Sequence, residues 1–412
     1  MFTSFSTALS ALNADSTAID VVGNNLANLN TTGFKAVDVT FHDLVTQSLG
    51  AGLGSTQVGF GVGQPETLRQ FTQGALQSTS GPLDAAIQGA GFFVVNGANN
   101  STQYTRDGSF QVNSAGDLID ATGEAVQGWN AQDGVLNTNG PISNIIVPVG
   151  TISAPVATTT MSLSMNLNAA GATGDTFSQS LTVYDSLGVG HQVTVDFTKD
   201  ATIGQWDYSI SVPDADLANP PYTPVTGSIT FDSNGNLLTP AATDAPTTIP
   251  IQGLADGASD MNITWNLYNG TSPTVTQFAQ PSALSSEAQN GSAAAQLSSV
   301  ALGTGGQVLA EYTDGSEAVV GQLALAQISN PESLTAVGNN DYQVSGDTAL
   351  PAIGTPSTGG RGGVVSGSLE SSTVDIATEF TNLIIFQRAY EANAKVITTV
   401  DQMSQDTIAL KS

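Results

Sequence analysis

The sequence predicts a multidomain, mainly β protein: two nested β domains plus paired N- and C-terminal α-helices that form a coiled-coil layer. Three observations lead to this prediction. Apolar residues recur at helical spacing at both ends of the chain. Short alternating runs, such as residues 181–184 and 192–197, are separated by turns in the interior. Residues 148–280 hold eleven Asp, no Glu and one basic residue, Lys199, which marks them as a separate block.

The first thirty residues are typical of one helix with an apolar stripe. Asp15 and Asp20 are its only charged residues, so its outer face has little charge. The spacing of three and four residues matches a heptad pattern. An ordinary amphipathic helix docked on its own domain would show the same pattern. The stripe consists of Phe2, Phe5, Leu9, Leu12, Ile19 and Leu26.

Residues 374–411 repeat this design at the other end of the chain. An isolated helix is marginal in water without packing partners. We therefore expect the two terminal helices to pair with each other and with neighbouring copies of the chain. The second stripe consists of Ile376, Phe380, Leu383, Phe386, Tyr390, Ile397, Val400 and Met403.

Composition also predicts the order of the domains. The middle block should be all β, because Asp favours turns whereas Glu favours helices. The flanking segments both consist of strand-and-turn sequence, so the block is predicted to be inserted between two halves of one domain. We predict a terminal helical assembly domain (1–33 and 369–412), a flexible linker (34–73), an inner β domain (74–147 and 281–368) and an outer β domain (148–280).

The charge balance excludes several classes of partner. Only 10% of the residues are charged, and the net charge is -27. Such a surface repels phosphate, so nucleic acid and anionic membrane are not expected partners. The sequence contains no run of 18 or more apolar residues, so membrane insertion is not predicted. The N-terminus does not resemble a secretory signal peptide. If this protein leaves the cell, we expect it to use a route other than signal-peptide-dependent secretion.

No residue pattern indicates catalysis, a cofactor or a metal site. Cysteine is absent, and neither His42 nor His191 stands at a metal-ligand spacing. The segment 232–236 resembles half a calcium loop, but its glycine is misplaced, so it is interpreted as a turn. The three tryptophans are too scattered to indicate the aromatic-lined cleft of a polysaccharide-active enzyme.

The two ends carry motifs that resemble one known family. Val21-Val22-Gly23-Asn24-Asn25-Leu26-Ala27-Asn28, then Thr31-Thr32-Gly33-Phe34-Lys35, resembles the signature of the flagellar rod and hook family of axial proteins. Asn24, Asn25 and Asn28 can bond backbone groups at a helix end, and Gly33 permits the positive φ of a C-cap. The closing helix resembles the same family through Gln387, Arg388, Tyr390, Asn393 and Ile397.

Interior motifs extend the resemblance. Pro82-Leu83-Asp84 and Arg106-Asp107-Gly108 resemble the family's inner domain. Val183-Tyr184-Asp185-Ser186-Leu187-Gly188 is similar to the outer domain of the family's hook members. The resemblance therefore implies a structural subunit of the bacterial flagellar hook. That hook is a curved, flexible tube that acts as a universal joint and transmits torque from rod to filament.

The resemblance also implies location and partners. The subunit would lie outside the cell and assemble with itself, the distal rod protein, the hook cap and the hook-filament junction protein. It would leave through the flagellar type III export apparatus without a cleaved signal peptide. Phe41 and Val45 match an aromatic-x-x-x-aliphatic export signal, with a helical i, i+4 core pair as the alternative. A distal rod protein and a secreted β-rich adhesin or surface-layer protein remain alternatives.

Overall fold

A computed structural model describes residues 2–44, 46–49, 56–97, 100–132 and 134–410. The chain forms two compact units. Unit 1 comprises residues 1–149, 299–311 and 317–412, and unit 2 comprises residues 150–298 and 312–316. The mainly β class and the two terminal helices are confirmed. Within the described residues, neither helix contains a segment long and apolar enough to cross a membrane.

The helices are α1 (Phe2–Ala27) and α2 (Ile376–Ala409). The strands before unit 2 are β1 (Val37–Thr40), β2 (Thr46–Leu49), β3 (Thr56–Gly59), β4 (Glu66–Arg69), β5 (Leu76–Ser78), β6 (Ala85–Gln88), β7 (Phe92–Gly97), β8 (Ser101–Thr105), β9 (Gln111–Val112), β10 (Leu118–Ile119), β11 (Ala125–Gln132), β12 (Val135–Leu136) and β13 (Ser143–Asn144).

Unit 2 opens with β14 (Ile152–Ser153) and continues with β15 (Thr160–Asn168), β16 (Thr176–Tyr184), β17 (Gly190–Lys199), β18 (Gln205–Ser211), β19 (Val225–Phe231), β20 (Leu237–Thr239), β21 (Thr247–Ile251), β22 (Met261–Trp265), β23 (Tyr268–Asn269), β24 (Ser272–Pro273), β25 (Val275–Phe278) and β26 (Ala283–Gln289). The remaining strands are β27 (Ala295–Leu302), β28 (Gln307–Tyr312), β29 (Glu317–Leu323), β30 (Leu325–Gln327), β31 (Thr335–Gly338), β32 (Asp341–Gln343), β33 (Ala352–Gly354), β34 (Gly363–Ser366) and β35 (Ser368–Glu370).

An antiparallel sheet forms the β part of unit 1, in the order β28-β29-β11-β7-β8-β32-β31. Its core includes Phe92, Tyr104, Trp129 and Tyr342, and Phe71 packs its ring edge against Phe92 and Tyr342. Two shorter ladders, β5 with β35 and β6 with β34, join the beginning of the domain to its end. These ladders bring the segment that leaves α1 close to the segment that enters α2.

Unit 2 contains two five-stranded sheets that share one apolar core. Burial alternates along β15 and β17, because successive side chains point to opposite faces of a strand. Trp265 of β22 lies in the first sheet and contacts Phe197 and Tyr208 of the second, with ring centroids 6.1 and 5.3 Å away. Aromatic side chains thus hold the two sheets face to face.

Two predicted boundaries differ from the observed structure. The outer block was predicted to end at residue 280, but β26 pairs with β15 and so belongs to the sheets of unit 2. Residues 34–73 were predicted to be a flexible linker, whereas β1 pairs with β4 through four register positions inside that range. The glycine-rich composition of residues 46–66 concealed the ladder, although Val37 and Val39 form a short apolar face on β1.

Candidate assembly surface and its anchor

The buried face of α1 does not coincide with the apolar stripe seen in the sequence. The most buried residues of α1 stand one heptad position before the residues of the stripe. They are small or polar, which lets neighbouring backbone approach closely. This buried seam consists of Ala8, Asp15, Ala18, Val22 and Asn25, together with Ala14.

The predicted stripe therefore remains accessible on α1. Phe5 and Leu9 are 40% and 44% exposed, whereas Leu12, Ile19 and Leu26 are half-buried. The side chain of Phe2 lies outside the described part of the structure. The stripe and the buried seam are rotated by one residue, about 100° around the helix. The sequence correctly predicted the helical period of α1. A single chain, however, buries only the seam and leaves the stripe accessible.

Apolar exposure on α2 is larger still. Phe380 and Tyr390 are exposed, whereas Leu383, Asn393 and Ile397 are half-buried. Gln387 and Arg388 lie on the outer face, where Arg388 forms an exposed ion pair with Glu391 at 3.0 Å. Large side chains on this helix that the solvent reaches are Ile376, Phe380, Ile384, Ile385, Tyr390, Val396, Met403 and Ile408.

Two polar contacts fix the alignment of the helix pair. The Nδ2 of Asn393 donates to the Oδ2 of Asp15 at 2.9 Å. Near the other end of the pair, the Nδ2 of Asn25 donates to the Oε1 of Glu379 at 2.9 Å. Burial raises the pKa of Glu379, although the hydrogen bond from Asn25 opposes the shift. A polar pair inside an apolar helix interface specifies register, since any other alignment leaves its members unpaired.

Asn24 and Asn28 act at the end of α1 through backbone bonds. The Nδ2 of Asn28 donates to the carbonyl of Asn24 at 2.9 Å, and its Oδ1 accepts from Thr31 at 3.1 Å. Gly33 has a φ of 68°, but it lies six residues beyond the helix end and so is not its C-cap. A Cβ at Gly33 would stand 2.7 Å from the backbone of Arg106. Gly33 is therefore required for close approach of this segment to the β domain.

A buried ionic cluster anchors both helices to the β domain. The Nζ of Lys35 lies 2.6 Å from the Oε1 of Glu370. The Nη1 of Arg106 lies 3.1 Å from the Oε2 of the same glutamate. Lys35 also donates to the carbonyl of Thr72 at 2.6 Å. Burial lowers the pKa of both cations, whereas the charge of Glu370 raises it. The anchor thus joins the exit of α1 to the last strand before α2.

No local sequence pattern predicts this anchor as a site. Lys35 and Arg106 lie within motifs that carry the family resemblance, but no role was predicted for them or for Glu370. A usable signal was present, because Lys and Arg number only eight in 412 residues. Phe34, which was predicted to take part in assembly, is buried beside Ala36 and Val374 next to the anchor.

Phe41, half of the candidate export signal, packs against α2. Its ring centroid lies 5.9 Å from that of Phe386, and the residue remains 38% exposed. Val45, the other half of the candidate signal, lies outside the described residues. Residues 41–44 are not helical, so the predicted helical i, i+4 core pair is wrong for this segment. Phe41 instead packs on α2 through Phe386.

His191 lies in a charged cluster within unit 2. Its Nε2 lies 3.0 Å from the Oδ2 of Asp185, and its Nδ1 lies 3.2 Å from the Oδ2 of Asp216. The Oδ2 of Asp256 lies 3.6 Å from the Nε2 of His191. Burial lowers the pKa of His191, but its hydrogen bond to Asp185 and the negative charges of Asp185 and Asp216 outweigh that effect and raise the pKa overall. The pKa of Asp185 is lowered to about 2: burial raises it, but hydrogen bonds from His191 and from the backbone amides of Leu187 and Val189 outweigh that effect.

Four family models match successive parts of the chain. The model described as Flagella basal body rod protein matches residues 5–35. Flagellar hook protein FlgE/F/G D1 domain matches residues 86–168, and Flagellar basal body protein FlaE D2 domain matches residues 151–292. Flagellar basal body rod FlgEFG protein C-terminal matches residues 365–410.

Relatives align over the whole chain. The flagellar hook protein FlgE of Treponema pallidum is 32% identical over 463 aligned positions, which cover 100% of both chains. The protein of the same name from Escherichia coli K12 is 30% identical and covers 99% of this chain and 100% of its own. A crystal structure of Helicobacter pylori flagellar hook protein FlgE2 covers 68% of this chain and 98% of its own, at a TM-score of 0.49 and 13% identity.

Proposed function

The chain belongs to the flagellar hook protein FlgE family, and from this premise we propose that it polymerises into the hook through the exposed stripes of α1 and α2. Members of this family are structural subunits of the bacterial flagellar hook, so the chain is a flagellar component. We further propose that it has no enzymatic activity and functions as a curved polymer.

One observation supports the assembly mechanism most strongly. Each terminal helix has a buried face, fixed by its own chain, and a second apolar face that its own chain leaves accessible. Large apolar residues at 39–69% exposure along two adjacent helices form a surface that water solvates poorly. Pairing of these faces between copies would bury them, and burial contributes about 25 cal/mol per Å² of apolar area.

The composition suits a joint that bends as it rotates. Subunits in such a tube must slide past one another, and breaking a buried ion pair costs roughly 3–5 kcal/mol. Exchanging atomic contacts costs only about 0.1–0.2 kcal/mol per atom pair. A chain in which 10% of residues are charged presents few ion pairs to break. The predicted outer block, within unit 2, is proposed to form the outer layer of the tube.

The proposed partners follow from the place of a hook in the flagellum. They are further copies of the chain, the distal rod protein, the hook cap, the hook-filament junction protein and the type III export apparatus. The chain would lie outside the cell after export without a cleaved signal peptide. Phe41 and Val45 are proposed to contribute to that export.

A charge placed on the stripe should test the assembly mechanism. Leu9→Asp introduces one carboxylate on the accessible apolar face of α1. Asn13→Asp introduces the same charge at an exposed position of the same helix, outside the stripe. Electron microscopy and sedimentation should show tubes for the wild-type chain and for Asn13→Asp, and monomers for Leu9→Asp. Equal tube formation by both variants would disprove the proposed role of the stripe.

A further inference from the structure

Three carboxylates converge inside unit 1, away from the helices and their anchor. Asp120 and Glu124 lie on the turn between β10 and β11, and Asp341 is the first residue of β32. One oxygen from each of the three lies within 4.8 Å of the others. The pairing of β32 with β8 places Asp341 beside this turn, although more than two hundred residues separate them in the sequence.

The cluster contains buried oxygens without partners. Asp341 is 2% exposed, and its Oδ1 has no hydrogen-bond partner. The Oε2 of Glu124 is also buried and unpaired. Asp120 is held in place, since its Oδ1 accepts from the backbone amides of Thr122 and Glu124 at 2.9 and 2.8 Å. Buried carboxylate oxygens usually have a partner, so an unpaired one that faces other carboxylates needs an explanation.

The charge of the cluster is not balanced by its surroundings. Burial raises the pKa of Asp341 to about 7, and the charges of Glu124, Asp120 and Asp107 add to the shift. Arg106 follows Thr105, the pairing partner of Asp341, but its guanidinium contacts Glu370 and the carbonyl of Gly89. The charged groups that act on Asp341 are thus acidic, and a bound cation would relieve their repulsion.

We propose that Asp120, Glu124 and Asp341 bind a calcium ion. Carboxylate oxygens are the ligands that calcium prefers, at about 2.3–2.6 Å. The three oxygens lie within 4.8 Å of one another, so they are close enough to bind one ion together. Glu124 is only half-buried and provides a path to solvent, through which water could complete the coordination.

The site would reinforce the region near the anchor. Asn340, immediately before Asp341, donates from its Nδ2 to the carbonyl of Thr32 at 2.9 Å. Thr32 lies in the segment between α1 and Lys35. A calcium ion that ties β32 to the turn at 120–124 would therefore hold a strand that also supports the exit of α1.

Calorimetric titration of the full-length monomer, stripped with chelator and then dialysed, would test this site. Calcium chloride is the probe, with magnesium chloride as comparison. We expect one calcium per chain, weaker binding of magnesium, and at least tenfold weaker calcium binding in Asp341→Asn and Glu124→Gln. Glu332→Gln, which removes an exposed carboxylate from the same unit, should bind as the wild type does.

A stability measurement separates binding at this cluster from diffuse attraction to an acidic surface. Without calcium and at a pH above the raised pKa of Asp341, about 7, Asp341→Asn should raise the melting temperature of unit 1, because it removes one of three repelling charges. Saturating calcium should raise the melting temperature of the wild type but not that of the variant. The proposal fails if calcium does not bind the wild type at 10 mM, or if it binds both cluster variants undiminished.

Discussion

The side chain of Asn25 forms hydrogen bonds with both backbone groups of Val37, as a residue of a neighbouring β-strand would. Its Nδ2 donates to the Val37 carbonyl at 2.9 Å, and its Oδ1 accepts from the Val37 amide at 3.0 Å. The same side chain donates to Glu379 of α2. One asparagine, 1% exposed, thus connects α1, β1 and α2.

Asn25→Ala should destabilise unit 1 and loosen the helix pair. It removes the partners of the Val37 amide and carbonyl, and each buried group left unpaired costs about 1–3 kcal/mol. Calorimetry of the monomer should show a lower melting temperature for unit 1, and hydrogen exchange should increase at the end of α1. The control is Asn24→Ala, since Asn24 is exposed and its side chain makes only a 3.4 Å bond to Asn28. Equal effects of both substitutions would refute the assigned role.

Glu370→Gln should be among the most destabilising conservative changes in unit 1. The substitution leaves Lys35 and Arg106 buried, at 0% and 5% side-chain exposure, without a counter-charge. Breaking a buried ion pair by removing one partner costs roughly 3–5 kcal/mol. Glu391→Gln removes the exposed partner of Arg388 and should cost about 0–1 kcal/mol. Denaturant titrations that gave similar free energies of unfolding for the two variants would contradict the role of the anchor.

The period of the terminal helices could be predicted from sequence, but not which face each chain buries. Apolar residues at three- and four-residue spacing define a helix whatever it packs against. The buried seam of α1 contains alanines and polar side chains, and hydrophobicity alone does not select Ala18 or Asn25 over Leu9. That choice depends on tertiary partners such as Val37 and Glu379, which lie far away in the sequence.

The charged clusters escaped prediction for the same reason. Lys35 and Glu370 are separated by 335 positions, and Asp120 and Asp341 by more than two hundred. His191 was judged from its spacing to nearby ligands, but Asp216 and Asp256 approach it through the folding of unit 2. Local spacing detects ligands on one turn or helix, whereas these sites are assembled by strand pairing.

Paired variants should separate the two possible roles of Phe41. Phe41→Ala and Phe386→Ala both remove the same ring contact, but only the first alters the candidate export segment. If the segment is an export signal, Phe41→Ala should reduce secretion severalfold while Phe386→Ala leaves it near the wild-type level. The free energy of unfolding of purified protein should fall similarly in both. Equal secretion defects would show that Phe41 serves packing alone.

Unit 2 should lose stability as the pH rises above the ordinary histidine pKa of about 6.5. The pKa of folded His191 is raised above its unfolded value of about 6.5, so its contribution is complete below that pH and is lost as pH rises through the folded pKa. In that window the free energy of unfolding should fall by at most about 1.4 kcal/mol per pH unit. At the acid end, the lowered pKa of Asp185 means that its contribution is lost as pH falls from about 4 towards 2.

His191→Gln provides the control for this dependence. His42, the other histidine of the chain, belongs to unit 1, so the unit 2 transition should respond to His191 alone between pH 6 and 9. Calorimetry should show a declining unit 2 melting temperature for the wild type and a flat profile for the variant. A wild-type profile that rises with pH would reverse the sign and rule out the paired imidazolium.

A deletion within unit 2 should show whether the outer layer sets the curvature of the hook. The ladder of β14 with β27 pairs Ile152 with Gln296 and Ser153 with Ala295. Antiparallel partners lie about 4.5–5.5 Å apart, a distance that a two-residue Asn-Gly turn closes. Residues 154–294 can therefore be replaced by that turn without changing the register of the remaining strands.

The shortened chain keeps α1, α2 and the anchor, so it should still polymerise, but into straight tubes. Contacts between outer layers would then bias curvature, while the helices would hold the tube together. The removed block carries eleven Asp and one Lys between residues 148 and 280, so its copies repel one another. Salt screens this repulsion, so the curvature of the intact polymer should change with salt concentration. The change should end once the Debye length falls below about 8–10 Å. Electron micrographs decide between the outcomes: tubes of unchanged curvature would assign bending to unit 1, and a folded monomer that forms no tubes would place unit 2 in assembly itself.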